Sequence, residues 1–334
     1  MYISSIKFSI WCDFIERQFL EEDFSTLISD KVINGATSNP AIFNNAFLNS
    51  SAYKKDIAKL KDSKPKEIYE SLALKDIKSA GKKLLPLYEK GDDGFVSIEV
   101  DPFLANDAKA TIEEGRRLYN ALDLPNVMIK IPATASGYEA MRALMSDGIN
   151  VNATLVFSPK QAQECFDALN EGLKSFKHTY SSKANEPKAV ISVFVSRFDR
   201  KLNGALRSKD LPQNMLGIMN AIKIYKQIEK EENNNIRCLF ASTGVKGDDL
   251  EQEYYVEKLL FPNSINTAPL NTIFSFVASG KTSVEDLPSD EEIDLFFQKI
   301  QDASTDMEEV YKQLMDEGMT AFEKAFEQIL QSLK

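Results

Sequence analysis

The chain has 334 residues, 43% of them hydrophobic and 27% charged, enough apolar material for the large core of a soluble globular protein. With 40 Lys and Arg against 50 Asp and Glu, the net charge of −10 sets the surface against nucleic acid and anionic membranes, so an anionic substrate has to be caught by locally placed cations or helix N-termini. No apolar run approaches the roughly 20 residues that cross a bilayer, and a single histidine, His178, leaves no material for a hydrolase triad or a histidine metal centre.

The opening "MYISSIKFSIWCDF" has neither the basic flank nor the cleavage site of a signal peptide. It contains the first of eight short apolar runs, "IKFSIWCD" (6–13), followed by "VINGATSN" (32–39), "FVSIEVD" (95–101) and "VMIKIP" (127–132). After these come "VNATLVF" (151–157), "VISVFVS" (190–196), "IRCLFAS" (236–242) and "INTAP" (265–269). Amphipathic helical patterns lie between them, among them "PKQAQECFDALNEGL", which Ser158-Pro159 opens with a cap and a first-turn proline. Residues 40–94 are too many for one helix and read as a helical insertion. His178 falls in "KHTYSSKANEPK", which reads as a polar loop, and the tail from about 283 to 334 reads as further helices, packed on the outside or folded back. Cys12, Cys165 and Cys238 are dispersed without paired spacing, which argues against disulfides and thiolate metal sites and for a cytoplasmic, reduced protein.

Eight strands alternating with helices is the count for a single (β/α)₈ barrel with additional helices, spanning 1–334. Residue parity points the same way. Side chains alternate faces along a strand, so Ser97, Glu99 and Asp101 oppose Val96, Ile98 and Val100. By the same rule Asn152 and Thr154 oppose Val151, Ala153, Leu155 and Phe157, and Lys130 opposes Val127, Ile129 and Ile131. In a barrel the apolar face meets the helices and the polar face points inward.

The C-terminal strand ends, where barrels of this kind do their chemistry, then carry Asp13, Asn39, Glu99, Lys130, Asn152, Thr154, Ser192, Ser242 and Asn266. An amine among neutral polar groups suits Schiff-base chemistry: desolvation disfavours its ammonium form, and the free amine attacks a ketone. Glu99 and Asp13 are the strand-end residues able to move protons. Blander roles compete: Asp13 as a cap of the helix near "FIERQFLEEDF", Glu99 in a salt bridge with Lys130, Asn39 and Ser192 in turns or caps. No convincing metal set is present, although Glu99 and Asp101 are a conceivable Mg²⁺ pair.

"GATSNPAIF" (35–43) and "VMIKIPATASGYEAMRAL" (127–144) resemble the two signatures of the transaldolases, and "SIEVD", "INVNATLVFS" and "ISVFVSRFD" are similar to further segments of that family. The resemblance, from about Trp11 to Thr267, implies a cofactor-independent class I aldolase relative of the pentose phosphate pathway. It implies transfer of a dihydroxyacetone unit from sedoheptulose 7-phosphate to glyceraldehyde 3-phosphate, giving erythrose 4-phosphate and fructose 6-phosphate. Carried over by motif, Lys130 is the Schiff-base lysine, Glu99 activates the catalytic water, and Asp13 acts on the sugar hydroxyl. Asn39, Asn152 and Thr154 hold the three-carbon unit and order the water, while Ser192 and Arg197 line the substrate and phosphate end. Some relatives carry an arginine after the seventh strand. Here the segment reads "ASTGVKGDD", which leaves Ser242, backbone N–H groups and Lys246 as candidates, Lys246 equally readable as a solvated loop residue. Rival readings are an aldolase releasing free dihydroxyacetone, a pyridoxal-phosphate barrel and a non-catalytic sugar-phosphate-binding barrel. The helical tail is compatible with a monomer or a homodimer.

Overall fold

The eight apolar runs form eight parallel strands that close into a barrel in chain order. They are β1 (Ser9–Cys12), β2 (Gly35–Ala36), β3 (Val96–Glu99), β4 (Val127–Pro132), β5 (Asn150–Val156), β6 (Ala189–Phe194), β7 (Ile236–Ala241) and β8 (Ile265–Ala268). This computed structural model describes residues 2–180, 185–247 and 249–334. Helices follow the strands and cover the barrel, and no helix among the described residues is long and apolar enough to cross a membrane.

The first two strands are the most shortened relative to their apolar runs. Before β1 the chain makes a 3₁₀ turn over Ser4–Ile6 and a left-handed Lys7, φ 54°, which delay the strand to Ser9. In β2, Gly35 lies directly against the Trp11 indole: a Cβ there would approach Trp11 Cδ1 to 2.5 Å. The missing side chain lets β1 and β2 pair at Trp11↔Gly35 while Trp11 fills the barrel interior. Trp11, Phe95, Met128, Val190, Leu239 and Ile265 belong to one inner cluster, whereas Val127, Ile129, Ile131, Val151 and Ala153 join the outer core beneath the helices.

Simple period-two parity fails within β5. Leu155 adopts φ 57°, and the β5–β6 register slips from Ala153↔Ile191 to Val156↔Val193. This bulge inserts one residue and inverts the alternation after it. Leu155 and Phe157 therefore join the inner cluster and Val156 the outer core, opposite to the faces that strict alternation assigns.

Between β2 and β3 lie helices Pro40–Asn49, Lys54–Lys59 and Pro65–Glu89. Arg17 ties this region to the start of the barrel, donating to Asp76 at 2.9 Å and Asp56 at 2.6 Å. The helix Pro159–Thr179 opens on a capping box of Ser158 and Gln161 and runs further than its polar end suggests. His178 is thus an exposed residue of the last helical turn and not of a loop, a position favourable for a basic group. The stretch around it continues partly outside the described residues. Two helices, Asp290–Asp302 and Met307–Ser332, end the chain. The second reaches the C-terminal ends of the strands: Gly318 abuts Leu155 and Phe157, and Phe326 packs edge-on against Tyr69 with ring centroids 5.0 Å apart.

Candidate active site

The register of β3, β4 and β5 sets three polar side chains side by side, because Glu99 pairs with Lys130 and Lys130 with Asn152. Lys130 and Glu99 are each 6% exposed, and Lys130 Nζ stands 3.5 Å from Glu99 Oε2. That is an ion-pair separation rather than a good hydrogen bond, and neither carboxylate oxygen of Glu99 accepts one from a described group. The amine instead donates to the Ser38 carbonyl at 3.2 Å. Burial pushes the Glu99 carboxyl up to about 7, against the opposing pull of Lys130. It therefore exchanges its proton near neutrality.

Asp13 follows β1 directly and is half-buried. It accepts a hydrogen bond from Thr37 Oγ1 at 2.7 Å, and Thr37 is in turn 2.6 Å from Thr267 Oγ1. Burial raises its pKa, while Lys130 and Thr37 pull it down. It does not cap the following helix: Glu16 does, accepting from the Phe19 N–H at 2.8 Å.

The fifth strand supplies two different groups. Asn152 is held from both sides, its Nδ2 donating to Ser97 Oγ at 3.0 Å and its Oδ1 accepting from Ser192 Oγ at 2.7 Å. One amide N–H remains for a ligand. Thr154 is fully buried, and its hydroxyl has no partner among the described residues. Asn39 caps the helix Pro40–Asn49, its Oδ1 accepting from the Ile42 N–H at 3.1 Å, which leaves its amide donors uncommitted by the cap.

A second group lies where β6 and β7 end. The Arg197 guanidinium is 5.0 Å from the Phe194 ring centroid and 6.0 Å from that of Phe157, and burial beside Arg200 lowers its pKa to about 10. No ion pair is formed by Arg197 among the described residues. Ser242, at φ 55°, brings its hydroxyl 3.2 Å from that of Ser196. Lys246 is exposed and makes no contact with these groups.

Two sequence-derived placements change. Asp101 lies beyond β3, where its carboxylate accepts from Lys66 at 2.6 Å and from the Phe103 N–H at 3.0 Å, so it does not face the barrel interior with Glu99. Among the described residues no three His, Cys, Asp or Glu side chains gather as a metal site. Asn266 pairs in register with Ile10 and Phe240 of the outer core and accepts from Thr243, while its neighbour Thr267 reaches Thr37. A cavity of about 1160 Å³ opens at the opposite pole around Trp11, Asn34 and Arg237, and Asp13, Asn39, Glu99, Lys130, Asn152, Thr154 and Arg197 do not line it.

The C-terminal helix contributes what motif reading passed over. Phe322 sets its ring over the amine end of Lys130, 5.6 Å from Nζ to the centroid. The helix is amphipathic, which foretells an apolar face but not what that face covers.

A family model described as Transaldolase/Fructose-6-phosphate aldolase matches residues 10–333. A protein named transaldolase from Campylobacter jejuni (strain RM1221) is 49% identical over 331 residues, covering 98% of this chain and 99% of that protein. Another of the same name from Helicobacter pylori (strain P12) is 46% identical over 327 residues, with coverage of 98% and 99%.

Proposed function

The chain belongs to the transaldolase/fructose-6-phosphate aldolase family, and from that premise we propose how its barrel mouth performs the transaldolase reaction. It is a transferase acting on sugar phosphates, moving a dihydroxyacetone unit from a ketose phosphate to an aldose phosphate. In this reading the Lys130 amine attacks the ketone carbon of sedoheptulose 7-phosphate, and the carbinolamine loses water to give an iminium. Glu99, with its proton exchangeable near neutrality, hands that proton to the departing hydroxyl and later activates water for the reverse step. Asp13 removes the proton from the C4 hydroxyl as the C3–C4 bond breaks and erythrose 4-phosphate leaves.

The enamine then waits on Lys130. The spare amide N–H groups of Asn39 and Asn152 and the free hydroxyl of Thr154 are suited to hold its two hydroxyls and the catalytic water. Glyceraldehyde 3-phosphate enters, the new bond forms with Asp13 returning its proton, and hydrolysis of the iminium releases fructose 6-phosphate. Arg197 is suited to the substrate phosphate because its half-buried guanidinium has no ion-pair partner among the described residues, with Ser242 against the preceding Ser196 and Ser192 fixing Asn152. Lys246, from its exposed loop, adds long-range attraction at most. No step draws on a cofactor. All these groups come from one chain, so a monomer and a homodimer serve equally well. A cytoplasmic setting suits the three buried free thiols.

The observation that carries this reading is the buried amine of Lys130 beside a carboxyl poised near neutral pH. Its test is borohydride reduction in the presence of fructose 6-phosphate, followed by intact mass and peptide mapping. A three-carbon adduct on Lys130 is expected, with transfer activity when an aldose phosphate acceptor is present. An unmodified Lys130 in folded enzyme refutes the reading.

A further inference from the structure

The imine intermediate has two fates. Attack on an aldehyde acceptor transfers the three-carbon unit. Protonation of the enamine carbon, followed by addition of water to the iminium, regenerates the amine and releases free dihydroxyacetone. Which fate prevails depends on how well water is kept from the iminium carbon while the acceptor is awaited.

The structure roofs this site with the helix Met307–Ser332. Gly318 and Phe322 lie one turn apart and so on the same helix face. At Gly318 a Cβ would come within 3.0 Å of Leu155 Cδ2 and 3.1 Å of Arg197 Nη1, so the absent side chain is what lets the helix settle this close to the strand ends. Beyond it, Phe326 packs against Tyr69 and Phe103, and Asn44 donates to Gln328 at 3.2 Å. These contacts hold the intervening Phe322, 6% exposed, with its ring 5.6 Å from Lys130 Nζ. The ring face attracts a cation and presents no donor or acceptor to water, and both properties suit a protonated imine.

We propose that Phe322 is a positioning residue which, from the C-terminal helix, shields the Lys130 iminium and so biases the bound three-carbon unit toward transfer rather than release. The role rests on the reading of Lys130 as the imine-forming lysine.

The test compares wild-type enzyme with Phe322→Ala and Phe322→Leu in two assays on fructose 6-phosphate. One measures transfer to an aldose phosphate acceptor; the other measures free dihydroxyacetone formed without acceptor. Phe322→Ala is expected to raise the ratio of release to transfer about tenfold, with the borohydride adduct on Lys130 still trapped. Phe322→Leu retains bulk but no ring face and is expected to raise the ratio about threefold, which guards against loosening of the helix in the alanine variant. An unchanged ratio in both variants, with adduct and fold intact, overturns the role of Phe322. Absence of the adduct in wild-type enzyme overturns instead the imine on which that role rests.

Discussion

Replacing Glu99 by Gln keeps the shape of a buried side chain and removes its titration, which makes it a direct probe of the electrostatics beneath the mouth. Burial moves this carboxyl from an ordinary value of 4.5 to about 7. At 1.36 kcal/mol per unit this is roughly 3 kcal/mol of linkage between protonation and folding. The folded pKa is the higher one, so the unfolded chain loses its proton first as pH rises. The protonated carboxyl stabilises the fold fully below about pH 4.5, and that contribution drains away up to about pH 7, beyond which it is gone. Urea denaturation of wild type and Glu99→Gln at pH 4.5 and pH 7.5 should show wild type losing about 3 kcal/mol relative to the variant across the window. Taking the difference between the two proteins cancels other titrating groups. A difference constant to within about 1 kcal/mol would mean that Lys130 compensates the burial of Glu99 and that desolvation does not govern the pair. In the transfer assay the same variant should lose kcat by about 10²-fold, the scale of a lost general acid–base group.

Substituting Lys130 by Met should abolish both transfer and the borohydride adduct, which intact mass after reduction with fructose 6-phosphate will show. Asp13→Asn should still form the imine but stall before C–C cleavage, so that the trapped adduct carries the whole six-carbon sugar phosphate and kcat falls by about 10²-fold or more. Arg197→Ala should raise KM for fructose 6-phosphate by about tenfold or more while leaving the reaction of unphosphorylated fructose nearly unchanged, as steady-state assays on the two sugars would reveal. Gly35→Ala should destabilise the fold by about 1–3 kcal/mol in urea, because the added methyl has no room against the Trp11 ring.

Much of this architecture is legible because parallel barrel strands are buried on both faces and so appear as short apolar runs, and because period-two alternation reports which face a polar residue takes. Glu99, Lys130 and Asn152 are the clearest instance: their parity assigns them one face, and the strand register brings them side by side. Periodicity is blind to backbone irregularity. The left-handed Leu155 inverts the faces of the residues after it, and the sequence pattern carries no mark of that φ. It is also blind to where a strand stops, which is why Asp101, one pleat past Glu99, belongs to Lys66 instead of the interior. Phe322 is invisible for a third reason: its partner Lys130 lies nearly 200 residues away, and only the path of the chain joins them.

The two carboxyls near Lys130 are chemically alike and placed in unlike surroundings, and that contrast supports the separate tasks proposed for them. Both are buried enough for desolvation to favour the neutral form. Asp13, however, accepts a hydrogen bond from Thr37, which stabilises its ionised form and points its charge, whereas Glu99 accepts none from the described residues. A carboxylate whose ionised form accepts a fixed donor is the better-oriented base for a sugar hydroxyl. A carboxyl left without donors changes protonation most readily near neutrality, as a group that first releases and later activates water must. Removing the Thr37 hydroxyl should erode this division: in Thr37→Val the Asp13 pKa rises further, because a hydrogen bond to the ionised form is lost, and the acidic limb of the kcat profile moves to higher pH. An acidic limb that stays put in Thr37→Val would show that the hydrogen bond does not govern the Asp13 carboxyl.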